Sequence, residues 1–223
     1  MIKAPILFMG IPLKNKNNPF LIIWANFDSD FIFTNKPSTF LMEFYEKLEE
    51  YTGMKCNIFL DLSNNKLPIS TKYVTLSKEI VEICYNFLTE REKFEILSDL
   101  DFVLHNNTLI KALRLSQIYK TPLLYREGEE PVKLDFDLIK ASVIQKYPIS
   151  ELVNAIDNSL VHLVGVLPIY YVQERDYKYI QLEKGLWSGI YGLPFPLEKN
   201  LKWIWDGNYA SLIEFYFISS LTT

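Results

Sequence analysis

Residues 57–77 read NIFLDLSNNKLPISTKYVTLS and divide into an apolar run, a polar loop and a helical pattern. The apolar run ends the segment Lys55–Leu62, whose alternation of apolar and polar residues predicts a strand. The loop Ser63–Lys66 and the pair Leu67-Pro68 follow, and we place a long helix from Thr75 onward. The loop therefore leads into a helix N-terminus, where backbone N–H groups and the helix dipole favour an anion.

This stretch contains the candidate binding site of the chain. Hydroxyl groups donate hydrogen bonds to an anion, and ammonium groups supply positive charge. The candidate residues are Lys66, Ser70, Thr71, Lys72, Thr75 and Ser77. The sequence leaves one alternative open, in which Thr75 or Ser77 merely caps the helix.

The segments before this stretch add strands and one helix. Aromatic and β-branched residues predict strands at Ile6–Met9, Phe20–Asn26 and Phe31–Thr34. Pro37-Ser38 opens an amphipathic helix, and Gly53 ends it.

The segments after the site are also mixed. A second helical stretch covers about Glu92–Tyr119, with a break near Asn106-Asn107, and a hairpin surrounds the turn at 127–130. Ser150 caps a helix that runs to about Val164, with Gly165 at its C′ position. The pair Asp206-Gly207 predicts a second hairpin.

The chain is therefore α+β. Tyr147-Pro148 interrupts the pattern, and we predict two domains there, residues 1–148 and a smaller α+β unit at 149–223.

Composition excludes several classes of protein. The chain is 49% apolar and carries a net charge of −4 without a basic stripe, so disorder and nucleic-acid binding are not expected. Apolar runs such as Phe20–Trp24 are too short to span a membrane. The first residues show no signal-peptide pattern, so a cytoplasmic protein is expected.

Metal and redox sites are not expected either. Cys56 and Cys84 form no CxxC unit and lie in apolar segments, which predicts buried reduced thiols. A multi-histidine metal site is nearly excluded because the chain has two histidines. Asp28 and Asp30 more simply end two strands at a turn, so no metal ligand is predicted. The motifs G-x-S-x-G, G-x-G-x-x-G and G-x-x-x-x-G-K-[ST] are absent.

The order of motifs resembles that of the GHMP kinases, with the mevalonate kinase branch most similar. Lys3–Gly10 is similar to the family segment K-A-P-G-K-x-I-L-x-G-E-H, and Asn17–Asn26 resembles the loop and strand after it. The strand Asn57–Leu62, Pro68 and the helix from Thr75 take the place of the phosphate motif P-x-G-x-G-L-G-S-S.

The later motifs follow the same order. Tyr125–Val132 resembles a strand turn of the family, and Glu151–Val166 resembles a helix that ends in L-G-V. Gly185–Gly192 resembles the last glycine-rich motif, G-A-K-x-[ST]-G-x-G. The resemblance implies a two-part GHMP-kinase-like fold with a reduced ferredoxin-like C-terminal domain. It also implies ATP and Mg²⁺ as cofactors and a small anionic molecule or nucleotide as ligand.

Two departures bear on the kinase reaction. Pro68 is followed by Ile69–Val74 without a glycine, and side chains there block the close backbone approach that a triphosphate needs. The segment Leu104–Leu109, where the family carries its catalytic aspartate, has no carboxylate. Phosphoryl transfer depends on positioning and charge stabilisation, so these losses predict a degenerate kinase-like protein with little or no activity.

Two alternatives remain. The first is a non-catalytic interaction protein or homo-oligomer, which is motivated by the many aromatic residues of the C-terminal half. The second is an active kinase of small molecules with a rebuilt site. No residue can be assigned a catalytic role from the sequence.

Overall fold

The computed structural model describes residues 1–12, 18–149 and 158–218. Its strands are β1 Ile2–Met9, β2 Phe20–Phe27, β3 Phe31–Thr34, β4 Phe59–Leu62, β5 Leu123–Tyr125, β6 Val132–Lys133, β7 Ile139–Pro148, β8 Leu201–Asp206 and β9 Tyr209–Phe217. Its helices are α1 Met42–Thr52, α2 Ile69–Cys84, α3 Glu90–Leu104, α4 Thr108–Tyr119, α5 Asn158–Glu174 and α6 Tyr177–Tyr191. A 3-10 turn at Thr39–Leu41 precedes α1. The prediction of an α+β chain is confirmed.

Within the described residues, one mixed sheet organises the molecule. Its order is β6-β5-β2-β7-β9-β8, with β1 paired to β2 as a seventh strand, and β3 and β4 form a separate two-stranded sheet. The pairing of β2 with β7 is parallel, whereas β2 pairs with β1 and β5 in antiparallel fashion. Both β1 and β2 are almost wholly apolar and buried, as expected for strands covered on both faces.

Local signals set most element boundaries. Gly53 ends α1 in a left-handed conformation with φ of 68°, as predicted. The helical stretch after Thr89 is two helices, and the predicted break falls at Asn107, whose side chain accepts from Ile110 N–H at the start of α4. Both predicted hairpins, β5–β6 and β8–β9, are confirmed.

The predicted end of the helix before Gly165 is wrong. The helix expected to end at Gly165 is α5, which continues through Gly165 to Glu174. Gly165 is a packing position instead, because a Cβ there would lie 2.9 Å from Pro19 Cδ. The glycines of the segment 185–192 lie in α6 and at its C-cap. The capping position Ser150 and the loop residues 13–17 lie outside the described residues.

The cysteines also differ from expectation. Cys56 and Cys84 form a disulfide with Cα atoms 5.7 Å apart, so the prediction of reduced thiols is wrong. The reason is tertiary, because the segment before β4 lies against the C-terminal end of α2. The spacing of 28 residues gave no local sign of this contact.

The proposed domain boundary falls at the last residue of β7. Pro148 pairs with Tyr209 of β9, and β7 also pairs with β2 near its start. Strands from both sides of Pro148 therefore share the large sheet, and the division into two domains stays a prediction.

Candidate functional site

The helix of the candidate site begins earlier than the sequence indicates. Helix α2 starts at Ile69, directly after Pro68, whose φ of −56° and ψ of 148° make it the N-cap. Placing the start at Thr75 is wrong, and so is the alternative in which Thr75 or Ser77 caps the helix. The helix thus begins without a glycine-rich loop before it.

The hydroxyl groups of three candidate residues donate to backbone carbonyls. Thr71 Oγ1 donates to Pro5 O of β1 at 2.9 Å, which links the first turn of α2 to a strand. Thr75 Oγ1 donates to Thr71 O at 2.6 Å, and Ser77 Oγ donates to Tyr73 O at 2.7 Å. All three side chains are buried. Their donors are therefore engaged within the fold.

The two candidate lysines lie apart from each other and form different ion pairs. Lys72 Nζ is 3.3 Å from Asp61 Oδ1 and 4.9 Å from the ring centre of Phe40. Lys66 Nζ is 3.5 Å from Asp28 Oδ2 in a more exposed pair. Lys66 also lines a cavity of about 330 Å³ with Lys140, Ser142, Glu214 and Tyr216.

Lys66 and Thr75, two of the candidate residues, line different cavities. Thr75 lines a different cavity of about 250 Å³ beside the amino terminus, together with Lys3, Trp24 and Lys78. Ser70, Thr71 and Lys72 share the first turn of α2, and Ser77 lies two turns further along the helix, 0% exposed.

An internal carboxylate binds the N-terminus of α2. Asp206 at the end of β8 accepts hydrogen bonds from Ile69 N–H at 2.6 Å and from Ser70 N–H at 2.9 Å. Ser211 Oγ also points at this carboxylate, at 3.4 Å. Two of the orphan donors of the helix start are thereby satisfied by acceptor oxygens at the positive end of the helix dipole.

Asp206 is 2% exposed. Burial raises the pKa of its carboxyl above the ordinary value, while the N–H groups of Ser70 and Ile69 and the charge of Lys146 act in the opposite direction. The sequence marks Asp206 as part of a hairpin turn, and no local pattern connects it to a helix that starts 137 residues earlier.

A second buried polar cluster joins α2, α3 and α4. Arg114 Nε donates to Asp101 Oδ2 at 2.7 Å, and Arg114 Nη2 donates to Asp101 Oδ1 at 3.1 Å. The same guanidinium donates to Ser77 Oγ at 2.7 Å, to Gln117 Oε1 at 2.8 Å and to Val74 O at 3.1 Å. Each of its five N–H groups thus has an acceptor.

The same cluster accounts for the burial of the Asp101 carboxylate. The segment Leu104–Leu109 has no carboxylate, and it contains the C-cap His105 and the N-cap Asn107. Asp101, four residues before His105, is buried against Arg114 and also accepts from Tyr73 O–H at 2.8 Å. Sequence reasoning missed the pair, since Asp101 and Arg114 lie on different helices.

A third buried pair holds the end of β1. Lys202 Nζ is 2.7 Å from Glu183 Oε1 and donates to Phe8 O, and Gly10 N–H donates to Glu183 Oε2 at 2.8 Å. Lys202 is 0% exposed, and burial lowers its pKa against the influence of Glu183. Gly10 has φ of 96°, and a Cβ there would lie 2.6 Å from Phe20 Cβ, so this motif glycine serves packing.

No group of three or more His, Cys, Asp or Glu side chains in the described parts of the chain is placed to hold a metal ion. Across the same residues, no helix combines the length and apolarity that crossing a membrane requires.

Element order, sheet topology and the helix after Pro68 together define a GHMP-kinase-like α+β fold, as the sequence predicted. The fold of this chain is similar to that of a solved structure, the mevalonate kinase of Methanococcus jannaschii. The match has a TM-score of 0.64 at 10% identity and covers 99% of this chain and 92% of that one. At this identity the likeness concerns the fold. No family model and no curated protein matches the sequence.

Proposed function

We propose that this protein keeps a GHMP-kinase-like fold with a degenerate phosphate loop and has little or no activity as a small-molecule kinase. The observation that carries the proposal is the start of α2 at Ile69, directly after Pro68 and with no glycine between Ser63 and Thr75. Every residue of the first turn carries a side chain, which limits how closely a phosphate can approach the backbone.

The donor set supports the same proposal. The hydroxyls of Thr71, Thr75 and Ser77 donate to carbonyls, and Lys72 is paired with Asp61. Catalysis of phosphoryl transfer needs free donors and cations preorganised around the transferring group. These residues of α2 therefore do not fit a bound MgATP.

Two measurements test the proposal. A thermal-shift titration with MgATP should give no saturable stabilisation at millimolar nucleotide, because a ligand that binds the folded state raises the melting temperature. A coupled ADP-release assay against a panel of mevalonate-type and sugar alcohols should give no turnover above the protein-free rate. Turnover with any of them would instead favour the active kinase with a rebuilt site.

The alternative function, an interaction protein or homo-oligomer, has less structural support than the function proposed above. Most aromatic residues that motivated it are core residues, since Trp187, Trp203, Trp205 and Phe215 are buried. Exposed aromatic side chains lie mainly elsewhere, and Phe33 on β3 is 74% exposed. Sedimentation velocity over a range of concentrations tests this candidate, and a monomer at all of them would remove it.

A further inference from the structure

A cavity of about 350 Å³ lies between α3 and α4, and we call it the α3–α4 cavity. Its apolar lining consists of Phe102 from α3 and of Ile110, Leu115 and Ile118 from α4. Phe102 is 69% exposed although it lies beside these apolar side chains. Cavities of this size, with apolar walls and a few polar groups, are the usual form of a small-molecule site. The described lining includes none of the candidate residues between 66 and 77.

The polar end of the α3–α4 cavity is the N-terminus of α4. Asn107, the N-cap, accepts from Ile110 N–H through its side chain and from Lys111 N–H through its carbonyl. The N–H of Thr108, the first residue of the helix, has no acceptor in the described part of the chain. This free donor and the positive end of the helix dipole favour a negatively charged group.

The hydroxyl of Thr108 is a second and independent sign of a ligand. Thr108 lines the cavity and is 3% exposed, and its Oγ1 has no hydrogen-bond partner among the described residues. Buried hydroxyls are usually hydrogen-bonded, because leaving one unpaired costs free energy. An acceptor atom of a bound molecule supplies the partner that the chain itself does not provide.

The charges around the cavity limit the charge of the ligand. Asp101 and Arg114 belong to the lining and pair with each other, with 2.7 Å between Oδ2 and Nε. Lys111, an exposed residue of α4, and Glu127, from the turn between β5 and β6, also line the cavity. Two acids thus oppose two bases, and the helix dipole adds about half a positive charge. A single carboxylate fits this balance better than a phosphate or a dicarboxylate.

We propose that the α3–α4 cavity binds a small monocarboxylate with an apolar tail. The carboxylate accepts from the N–H and Oγ1 of Thr108 and from the ammonium of Lys111, and the tail lies against Phe102, Leu115 and Ile118. The inference goes beyond the proposed function and does not depend on it, because the cavity is separate from the start of α2. Kinase turnover would refute the proposed function and leave this inference standing.

Calorimetric titration with two acids, hexanoate and phenylacetate, tests the class of ligand. Their amides, hexanamide and phenylacetamide, are the matched probes, because they keep the tail and lose the negative charge. We expect saturable binding of at least one acid at one site per chain, and binding of its amide weaker by about tenfold or more. An amide that binds as tightly as its acid, or the absence of saturable binding by both acids, would overturn the proposal.

Two variants of exposed residues locate the site without disturbing the core. Lys111→Gln and Phe102→Ala should each weaken binding of the acid by about fivefold or more, because they remove a charged donor and an apolar contact. Lys55→Gln is the matched control, since Lys55 is an exposed lysine outside the cavity, and its affinity should equal that of the wild-type chain. Unchanged affinity in Lys111→Gln, or an equal loss in Lys55→Gln, would overturn the proposal.

Thr108→Val separates a binding role of the hydroxyl from a structural one. Valine keeps the branched shape, and without ligand the variant should be at least as stable as the wild-type chain, because an unpaired buried polar group is lost. Its affinity for the acid should nevertheless fall by about fivefold or more. A hydroxyl that only supports the fold would give the opposite result, lower stability with unchanged affinity, and that outcome would overturn the inference.

Discussion

Replacing Arg114 by methionine removes the guanidinium from the centre of the cluster that joins α2, α3 and α4. Arg114 is 2% exposed and donates to Asp101, Ser77, Gln117 and the carbonyl of Val74. The substitution leaves the Asp101 carboxylate buried with Tyr73 O–H as its remaining side-chain donor. Breaking a buried ion pair in this way costs about 3–5 kcal/mol, a large part of a stability of roughly 5–15 kcal/mol.

Urea denaturation followed by circular dichroism measures this loss. With a slope of about 2 kcal/mol per molar, the midpoint should fall by about 1.5–2.5 M. Arg91→Met is the matched control, because Arg91 forms an exposed i,i+4 pair with Glu95 and should change the free energy of unfolding by less than about 0.5 kcal/mol.

The double variant Asp101→Leu/Arg114→Met separates the charge from the packing. Removing both partners leaves no buried unpaired carboxylate, so it should be more stable than Arg114→Met alone. A loss below about 1 kcal/mol in Arg114→Met, or a double variant that is less stable than the single one, would refute the reasoning.

Three further predictions follow from single contacts. In urea denaturation, Gly165→Ala should lower the free energy of unfolding by about 1–3 kcal/mol, because the added Cβ would overlap the 18–19 segment. Gly189→Ala is the matched control and should be neutral or stabilising, because an added Cβ there meets open space. Cys84→Ser should cost about 3–4 kcal/mol by opening the disulfide loop, and dithiothreitol should lower the melting temperature of the wild-type chain but not of the variant. Desolvation beside the Tyr73 ring lowers the pKa of His105 from 6.5, so its proton NMR titration should have a midpoint below 6.5. Because the folded state holds the imidazole neutral, its contribution to folding stability is present above pH 6.5. That contribution is lost as the pH falls through the lower folded-state pKa. A midpoint at or above 6.5, assigned by comparison with His105→Gln, would contradict that prediction.

The sequence predicts the elements whose causes are local. The hairpin at Asp206-Gly207 follows from a residue pair that favours a tight turn, and Gly207 has φ of 68°. Gly53 ends α1 because a left-handed residue closes the last turn without steric cost. Such elements predict the α+β class, and the resemblance of the motif order to the GHMP kinases predicts the GHMP-kinase-like fold, which the comparison at TM-score 0.64 bears out.

The candidate site depends on contacts that no local pattern contains. Thr71 is indistinguishable in sequence from an anion ligand, but its hydroxyl reaches Pro5 O of β1. Gly165 has the sequence context of a helix end, yet α5 continues to Glu174 and Gly165 lies closely against Pro19. The partner of Cys56 becomes evident when α2 lies beside the segment before β4. In each case the deciding atom is far away along the chain.

Three buried carboxylates among the described residues share one property that bears on the proposed function. Asp101 is paired with Arg114, Glu183 with Lys202, and Asp206 with the first turn of α2. Burying a charge is costly unless a partner compensates it, so each contact is a strong constraint on how its elements pack. A catalytic site needs some of its charges directed at a substrate, whereas these three carboxylates are directed at other parts of the same fold. This arrangement supports the proposed function, in which the chain has little or no kinase activity.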